Sequence, residues 1–278
     1  MVKRVAVLMV LAACGTFEDP AIVLDLRPIA LGADIPEQVV TVDLTHPVTA
    51  DQVLVQLVDA HVGVLLSDRN FARNIRWSAE LCNLTNDERC DHANPYEELG
   101  SGLWPDPEEA FPPFITVPAD GNLLGILFDE LQSDTLHGLG GISYGVSVRF
   151  GGEDADPALD QYAAKALMVS PAIPAGRTPN HNPTIDHIDV TTGVDVDPET
   201  TSLPQGLCGD GTFPVETPAT TQLRLEPIET PATRETYTVP TIDGSNRTFT
   251  EAVTYQWLAT AGKFSSADTA IGRAHVIT

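Results

Sequence analysis

Apolar and polar residues alternate at every second position in several short segments of this chain. The clearest segment is IRWSAELC, whose apolar positions are Ile75, Trp77, Ala79 and Leu81. Successive side chains of a β-strand point to opposite faces, so this period predicts strands that are buried on one side only. ISYGVSVRF and YAAKALMV repeat the pattern on either side of an acidic segment, which predicts a hairpin. The period therefore predicts an all-β fold.

One segment has the period of a helix. In DGNLLGILFDELQSD the apolar residues recur along one helix face, and Asp120 stands where an N-cap is expected. Many short strands with a single short helix favour β-sandwiches of immunoglobulin-like (Ig-like) architecture. The length of 278 residues suggests two domains, and AGRTPNHNPTI has the composition of a connector between them.

These signals predict where the domains begin and end. We expect an Ig-like β-sandwich domain over residues 21–175, a linker over 176–183 and a second Ig-like domain over 184–278. If Trp257 lies on a central strand, few residues remain for the strands that normally follow. The second domain is then incomplete, completed by a partner, or built in a different strand order.

The first residues have the composition of an export signal. Lys3 and Arg4 precede an apolar segment that is too short to span a bilayer, and small residues lead up to Cys14. Residues 1–13 are thus predicted to be a signal peptide and residues 14–20 a polar tether. The sequence L-A-A-C resembles the lipobox of bacterial lipoproteins, which implies that Cys14 is the site of lipid (palmitate) attachment. An ordinary secretory leader with a chance cysteine is the alternative.

Acidic residues dominate the charge of the chain. Asp and Glu number 39 against 15 Lys and Arg, which gives a formal net charge of −24. Such a surface repels phosphate backbones and anionic headgroups, so nucleic-acid binding is disfavoured. We expect the lipid, and not charge, to hold the protein at a membrane.

Two cysteines lie close together in LCNLTNDERC. In an exported protein, the pair Cys82 and Cys90 predicts a disulfide that closes a polar loop. A zinc site that also uses His92 and Cys208 is the alternative, but it lacks the usual ligand spacing. Cys208 is left as a buried thiol or as a partner that displaces one of the other two.

One motif resembles a catalytic signature. Gly141, Ser143 and Gly145 fit G-x-S-x-G, the nucleophile elbow of α/β-hydrolases. That elbow requires a helix after the serine, whereas VSVRF alternates as a strand does. We expect a protein without enzymatic activity, and a surface hydrolase that uses Ser143 with a histidine is the alternative.

Acidic clusters raise the question of a bound cation. Asp154, Asp156 and Asp160 lie on the predicted hairpin loop, and other aspartates surround the connector. Calcium takes six to eight oxygen ligands, and neither cluster has the spacing of an EF-hand loop. A solvated acidic surface with no metal or cofactor is the expectation, and a calcium-dependent adhesion module is the alternative.

Aromatic residues are spaced along a segment rich in Pro and Glu. Tyr96, Trp104 and Phe111 fall in it, as they do on long loops that bind partners. Because large exposed apolar patches are rare on monomers, these rings are also expected to cover one end of the sandwich. We keep the three as candidate partner-binding residues.

The order of several segments resembles that of a group of uncharacterised bacterial outer-envelope lipoproteins with tandem Ig-like β-sandwich domains. The segments are the L-A-A-C leader, IVLDLR, WSAELCNLTNDERC, GLGGISYGVSVRF with AAKALMVS, NHNPTI and YQWLATAGKFS. The resemblance implies a lipid-anchored protein of the outer membrane or of a periplasm-facing membrane. Its motifs are structural and imply no reaction. We therefore expect a binding or scaffold protein whose ligand is an envelope protein, a polysaccharide or a domain of the chain itself.

Overall fold

A computed structural model describes most of the chain after residue 21. The described residues are 22–43, 46, 48–68, 73–84, 90, 95–104, 115–193, 198–204, 218, 222–241, 243–259, 261–265, 268–269 and 274–277. Strands dominate these ranges, which confirms the prediction of an all-β fold. Within the same ranges, no helix is long and apolar enough to cross a membrane.

The first unit contains two sheets and two α-helices in its described residues. Its elements are β1 (Arg27–Ala33), β2 (Glu37–Val40), α1 (Ala50–Leu54), β3 (Ala60–Ser67), β4 (Ile75–Cys82), β5 (Glu97–Trp104), β6 (Ile115–Val117), α2 (Gly121–Ser133), β7 (Ile142–Gly152) and β8 (Gln161–Pro171). The larger sheet has the order β2-β8-β7-β4-β5, and the smaller has the order β1-β3-β6. β2 pairs with β8 in parallel, and the other pairs are antiparallel.

Both sheets contribute side chains to one apolar core. Val62 of β3 and Val117 of β6 lie in it together with Leu81 of β4, Val148 of β7 and Leu167 of β8. Each of these side chains is almost completely excluded from solvent, and its burial stabilises the fold by about 1.5–3 kcal/mol. Two sheets that enclose one apolar layer form a β-sandwich-like arrangement.

The predicted alternation of β4 is confirmed. Ile75, Ala79 and Leu81 are buried, and Trp77 on the same face is half-buried against the edge strand β5. Gly102 lies opposite Trp77, and a Cβ atom at Gly102 would come within 3.2 Å of the indole nitrogen. A glycine at this position of β5 therefore leaves space for the Trp77 ring.

The predicted hairpin consists of β7, β8 and the acidic loop between them. The loop residue Asp160 is not solvated, because its side chain is only 3% exposed. Arg76 Nη2 and Arg149 Nε each lie 2.8 Å from its carboxylate. The prediction of a solvated acidic loop is wrong at this residue, since two arginines from neighbouring strands fold the loop back onto the sheet.

The predicted helix is α2. The Oδ1 atom of Asp120 accepts the backbone N–H groups of Asn122 at 2.8 Å and Leu123 at 3.2 Å. Leu124 and Leu127 are buried against the sandwich, as the spacing predicts. The structure adds a second helix, α1, which the sequence does not predict because five residues carry too little periodicity.

Two glutamine side chains hold the segment after α1 against β2 and the residue that follows it. The side-chain amide of Gln38 accepts the N–H of Val58 at 2.9 Å and donates to its carbonyl at 2.9 Å. Gln56 makes the same pair of bonds with the backbone of Thr41, at 2.8 and 3.0 Å. Each side-chain amide makes the pair of hydrogen bonds that a backbone peptide group makes in a β-ladder. The backbone N–H and C=O groups of Val58 and Thr41 therefore have partners at this edge of the sheet.

The second unit is built around a second five-stranded sheet. Its elements are β9 (Ile185–Thr192), β10 (Glu199–Pro204), β11 (Gln222–Glu229), β12 (Thr236–Pro240), β13 (Asn246–Thr250), β14 (Tyr255–Gln256), β15 (Lys263–Phe264), β16 (Asp268–Thr269) and β17 (Ala274–Ile277). The sheet has the order β10-β9-β11-β17-β15. β12 and β13 form a separate two-stranded ribbon, as do β14 and β16.

The second unit has a small core of its own. Trp257 and Phe264 are 9% and 7% exposed and pack with Leu223 and Leu225 of β11. Trp257 follows β14 directly and does not lie on a central strand of the five-stranded sheet. A fold in which Trp257 lies on a central strand and several strands follow it therefore does not describe this unit.

The first described residues contact the second unit. Ile22 forms a parallel bridge with Ala259, and the N–H of Val23 donates to the carbonyl of Ala259 at 2.7 Å. Val23 is 2% exposed. Residues 22 and 23 therefore pack with the second unit, although they precede the first strand of the first unit.

Candidate functional site

The connector between the two units is held by a buried ion pair. Arg177 Nη2 lies 2.7 Å from Glu37 Oε1, and the two side chains are 11% and 7% exposed. The second oxygen of Glu37 accepts the backbone N–H of Asn180 at 2.8 Å. Arg177 Nη2 also donates to the hydroxyl of Ser170, at 3.0 Å. The connector is therefore fixed to strands β2 and β8 of the first unit.

The far end of the connector is fixed to the second unit in a similar way. His181 Nδ1 lies 2.9 Å from Glu235 Oε1, and the N–H of His181 donates to Glu235 Oε2 at 3.2 Å. Glu251 Oε2 in turn accepts the backbone N–H of Glu235 at 3.2 Å. The carbonyl of Thr184 accepts the hydroxyl of the fully buried Thr233. Side chains of both units thus position the connector.

A cavity of about 430 Å³ lies where the units and the connector meet. We call it the junction cleft. Its lining includes Met168, Arg177, Arg234, Glu235, Tyr237 and Glu251. Its volume is within the range of about 300–1,000 Å³ that is typical of small-molecule sites, and it lies between structural units as such sites often do. This cleft is the candidate functional site.

An aromatic face borders the junction cleft on the side of the β12–β13 ribbon. Tyr237 and Phe249 are opposite each other in the ribbon, with ring centroids 5.8 Å apart and planes at 25°. Their residues remain 47% and 43% exposed. Threonines occupy the other face of the ribbon, where Thr236 and Thr238 contact threonines of β13. The ribbon is therefore amphipathic, although neither face is deeply buried.

Charges beside the cleft are compensated within the second unit. Both terminal oxygens of Glu229 pair with Arg234, at 2.6 and 2.7 Å. This guanidinium holds the pKa of Glu229 below its usual value. Tyr255 donates its hydroxyl to Glu229 at 3.0 Å, and burial together with this bond raises the pKa of Tyr255 to about 12. Arg234 thus has a bidentate carboxylate partner and is not a free cation.

A second, smaller cavity of about 110 Å³ lies in the first unit between α2 and the β2–β8 edge. Its walls are almost wholly apolar and include Val40, Val53 and Phe128. Ser170 contributes one of its few polar groups, and that hydroxyl already contacts Arg177. The cavity offers van der Waals contact but few groups that would orient a ligand.

No protein-family model, curated protein or solved structure matches this chain.

The predicted disulfide between Cys82 and Cys90 is confirmed. The two Cα atoms are 5.4 Å apart, and both cysteines are buried. Leu84 forms an antiparallel bridge with Cys90, so the intervening loop closes at its base. Cys14 and Cys208 lie outside the described residues, as does Phe111.

The other two candidate partner-binding residues pack against the core of the first unit. The hydroxyl of Tyr96 donates to Asp129 of α2 at 2.8 Å, and this bond raises the pKa of Tyr96. Trp104 ends β5 opposite Ile75, and its buried Nε1 has no hydrogen-bond partner in the described part of the chain. This packing accounts for the position of both side chains without a binding partner. Their role in partner binding stays a prediction.

Ser143 lies within a sheet rather than on an elbow. It pairs with Met168 in the β7–β8 ladder, and β7 continues to Gly152 without turning into a helix. Gly145 faces the disulfide, and Gly141 adopts a φ of 96° at the turn before the strand. The strand–turn–helix context that exposes a nucleophilic serine is thus missing around Ser143.

The aspartates of the hairpin loop do not converge. Asp156 caps a short 3₁₀-helix by accepting the N–H of Ala158 at 2.9 Å, whereas Asp160 binds the two arginines described above. In the ranges that the structure describes, no three His, Cys, Asp or Glu side chains are placed to hold a metal ion.

Sequence reasoning did not identify the residues of the junction cleft. Arg177 lies in a segment whose composition indicates only a connector, and Tyr237 lies in one of several short β segments. The alternation of Tyr237 and Val239 with threonines in ETYTVP is the one signal of an amphipathic strand. Nothing in the sequence shows that this strand borders the first unit, because that contact depends on the tertiary arrangement.

Proposed function

We propose that this chain is a lipid-anchored, non-catalytic binding module of the bacterial cell envelope, and that the junction cleft is its ligand site. The observation that carries the proposal is the cleft itself, which is lined by both units and by the connector. The ion pairs of the connector preorganise its walls, and preorganised sites lose less entropy on binding. An Ig-like classification of the two units belongs to the same proposal.

Attachment through Cys14 is supported by the composition of the leader and by its resemblance to a lipobox. A disulfide between Cys82 and Cys90 is the state expected of cysteines outside the cytoplasm. Several acyl chains together hold a protein at a bilayer much more firmly than one chain, because each buried methylene contributes about 0.8 kcal/mol.

Cys14→Ser tests the anchor. When the full chain is produced in a bacterial host supplied with an alkyne-labelled fatty acid, we expect the label and the protein in the membrane fraction. Cys14→Ser should lose the label and appear in the soluble exported fraction. Cys208→Ser is the matched control and should keep both the label and the membrane location. Retention of Cys14→Ser in the membrane fraction would refute attachment through this residue.

The binding role is tested with the soluble Cys14→Ser protein. We expect it to co-sediment with purified envelope fragments, and the bound fraction should fall when the ion pair of the connector is removed by Glu37→Gln. Glu98→Gln removes an equal charge from an exposed position and should leave co-sedimentation unchanged. Failure of the unmodified Cys14→Ser protein to co-sediment would contradict the proposal.

A further inference from the structure

We infer that the junction cleft binds a neutral saccharide, with Tyr237 as the platform on which a sugar ring stacks. This inference rests on the proposed function, which treats the chain as a binding module and the junction cleft as its ligand site. It assigns a ligand class to a site that the proposal leaves without one, and it follows from three properties of the cleft.

The first property is the aromatic wall. The Tyr237 residue is 47% exposed, and its ring is supported by Phe249 across the ribbon at a centroid distance of 5.8 Å. An aromatic ring that is braced in this way offers a flat apolar surface at low cost in conformational entropy. The C–H groups on one face of a pyranose match such a surface.

The second property is the state of the charges. Arg177 is paired with Glu37, and Arg234 is paired with Glu229. The remaining carboxylates are Glu235, which contacts a histidine, and Glu251, which accepts a backbone N–H. An anion would meet these carboxylates without a free cation to balance it. A neutral polar ligand leaves each of these existing contacts in place and meets no uncompensated like charge, so such a ligand suits the cleft.

The third property is the supply of hydrogen-bonding groups at fixed positions. Arg177 Nη1 is buried and has no hydrogen-bond partner among the residues that the structure describes. A buried donor without an acceptor is costly, and it marks Arg177 as a residue beside the cleft with unused hydrogen-bonding capacity. Thr178 and Asn180 add uncharged polar side chains to the same wall. A polyol uses such groups, whereas a purely apolar ligand leaves them unsatisfied.

Met168 adds an apolar contact from β8 of the first unit, in register with Glu37 of β2. The lining is thus mixed, with apolar and hydrogen-bonding groups interleaved. The small cavity beneath α2 is lined almost wholly by apolar groups. That cavity therefore suits an apolar ligand better than the junction cleft does. The junction cleft suits a ligand that presents both C–H and O–H groups.

The test is isothermal titration calorimetry of the soluble full-length Cys14→Ser protein with neutral oligosaccharides. The panel contains di- to tetrasaccharides of glucose, mannose, galactose and N-acetylglucosamine. We expect at least one to bind, and Tyr237→Ala should weaken that binding at least about tenfold. Tyr237→Phe keeps the ring and should change the affinity less than about threefold. Tyr162→Ala, at an equally exposed tyrosine of β8, should leave it unchanged.

Fluorine NMR of protein labelled with 3-fluorotyrosine tests the same contact without a destabilising change. We expect the saccharide to shift the Tyr237 resonance, assigned through Tyr237→Phe, and to leave that of Tyr162 in place. The inference is overturned if no saccharide of the panel binds, if binding is independent of Tyr237, or if a uronic-acid oligosaccharide or a lysine-rich peptide binds in its place. Envelope co-sedimentation without saccharide binding would leave the proposed function intact and end only this inference.

Discussion

Gly145 lies opposite Cys82 in the pairing of β4 with β7. A Cβ atom at Gly145 would come within 2.6 Å of Cys82 Sγ and of Leu84 Cδ2, and within 3.0 Å of Cys90 Sγ. The sulfurs are covalently joined and buried, so they cannot rotate away. Gly145→Ala should lower the free energy of unfolding by about 1–3 kcal/mol, the usual cost of overpacking, as measured by chemical denaturation.

Gly32→Ala is the matched control for this prediction. Gly32 also lies in a strand, and a Cβ atom there would meet nothing within 4 Å. Its replacement should leave stability within about 0.5 kcal/mol of the unmodified protein. In a background that carries Cys82→Ala and Cys90→Ala, the cost of Gly145→Ala should shrink. An equal cost with and without the sulfurs would contradict the steric argument.

At the scale of an element, the N-terminus of α2 depends on one side chain. Asp120 accepts two backbone N–H groups that have no partner within the helix. Asp120→Ala should therefore destabilise the protein by about 1 kcal/mol, which lowers the melting temperature by about 2–4 °C in a protein of this size.

Asp120→Asn tests whether the oxygen or the charge of Asp120 is responsible. Asparagine is an equally good N-cap and keeps an acceptor oxygen, so most of the stability should be retained. A loss equal to that of Asp120→Ala would show that the charge of Asp120, and not its acceptor oxygen, is responsible. Calorimetric melting of the three proteins side by side gives the comparison.

Elements with strong periodicity were predictable. Short elements, and ion pairs that depend on the strand register, were not. β4 and α2 each carry enough apolar positions in a regular period for their buried faces to follow from the sequence. α1 has five residues, and its position is set by contacts such as the amide of Gln56 with Thr41. Asp160 is ion-paired because Arg76 and Arg149 lie side by side on adjacent strands, a proximity that only the strand register creates.

At the scale of the whole molecule, the pair of Glu37 and Arg177 fixes the connector. Breaking a buried ion pair leaves a charge without its partner and typically costs about 3–5 kcal/mol. Glu37→Gln should therefore release the connector and expose the peptide bond after Arg177 to trypsin. We expect cleavage there at least about tenfold faster than in the unmodified protein, because proteolysis follows the population of the open form.

Mass spectrometry of the tryptic fragments identifies the cut site. Glu98→Gln is the control, since Glu98 is exposed, and it should be cleaved at the rate of the unmodified protein. Rapid cleavage after Arg177 in the unmodified protein would contradict a fixed connector.

The candidate site is the part of the molecule that the sequence predicted least. The composition of the connector indicated a linker, and a linker has no need of a buried arginine. Arg177 meets Glu37 because β2 and β8 are adjacent and the connector begins a few residues after the end of β8. Tyr237 reaches the same place from a ribbon of the second unit. Both placements depend on how distant segments of the chain pack, and no local sequence pattern encodes them.

The parallel pairing of β2 with β8 also determines when, during synthesis of the chain, the larger sheet can be completed. The two strands come from opposite ends of the first unit, with Glu37 in register with Met168. A ribosome delivers β2 early and β8 last, so β2 waits without the strand that it pairs with in the described sheet while nearly the whole unit is made. Contacts between such distant segments form slowly. The larger sheet can therefore close at this edge only after translation has passed residue 171.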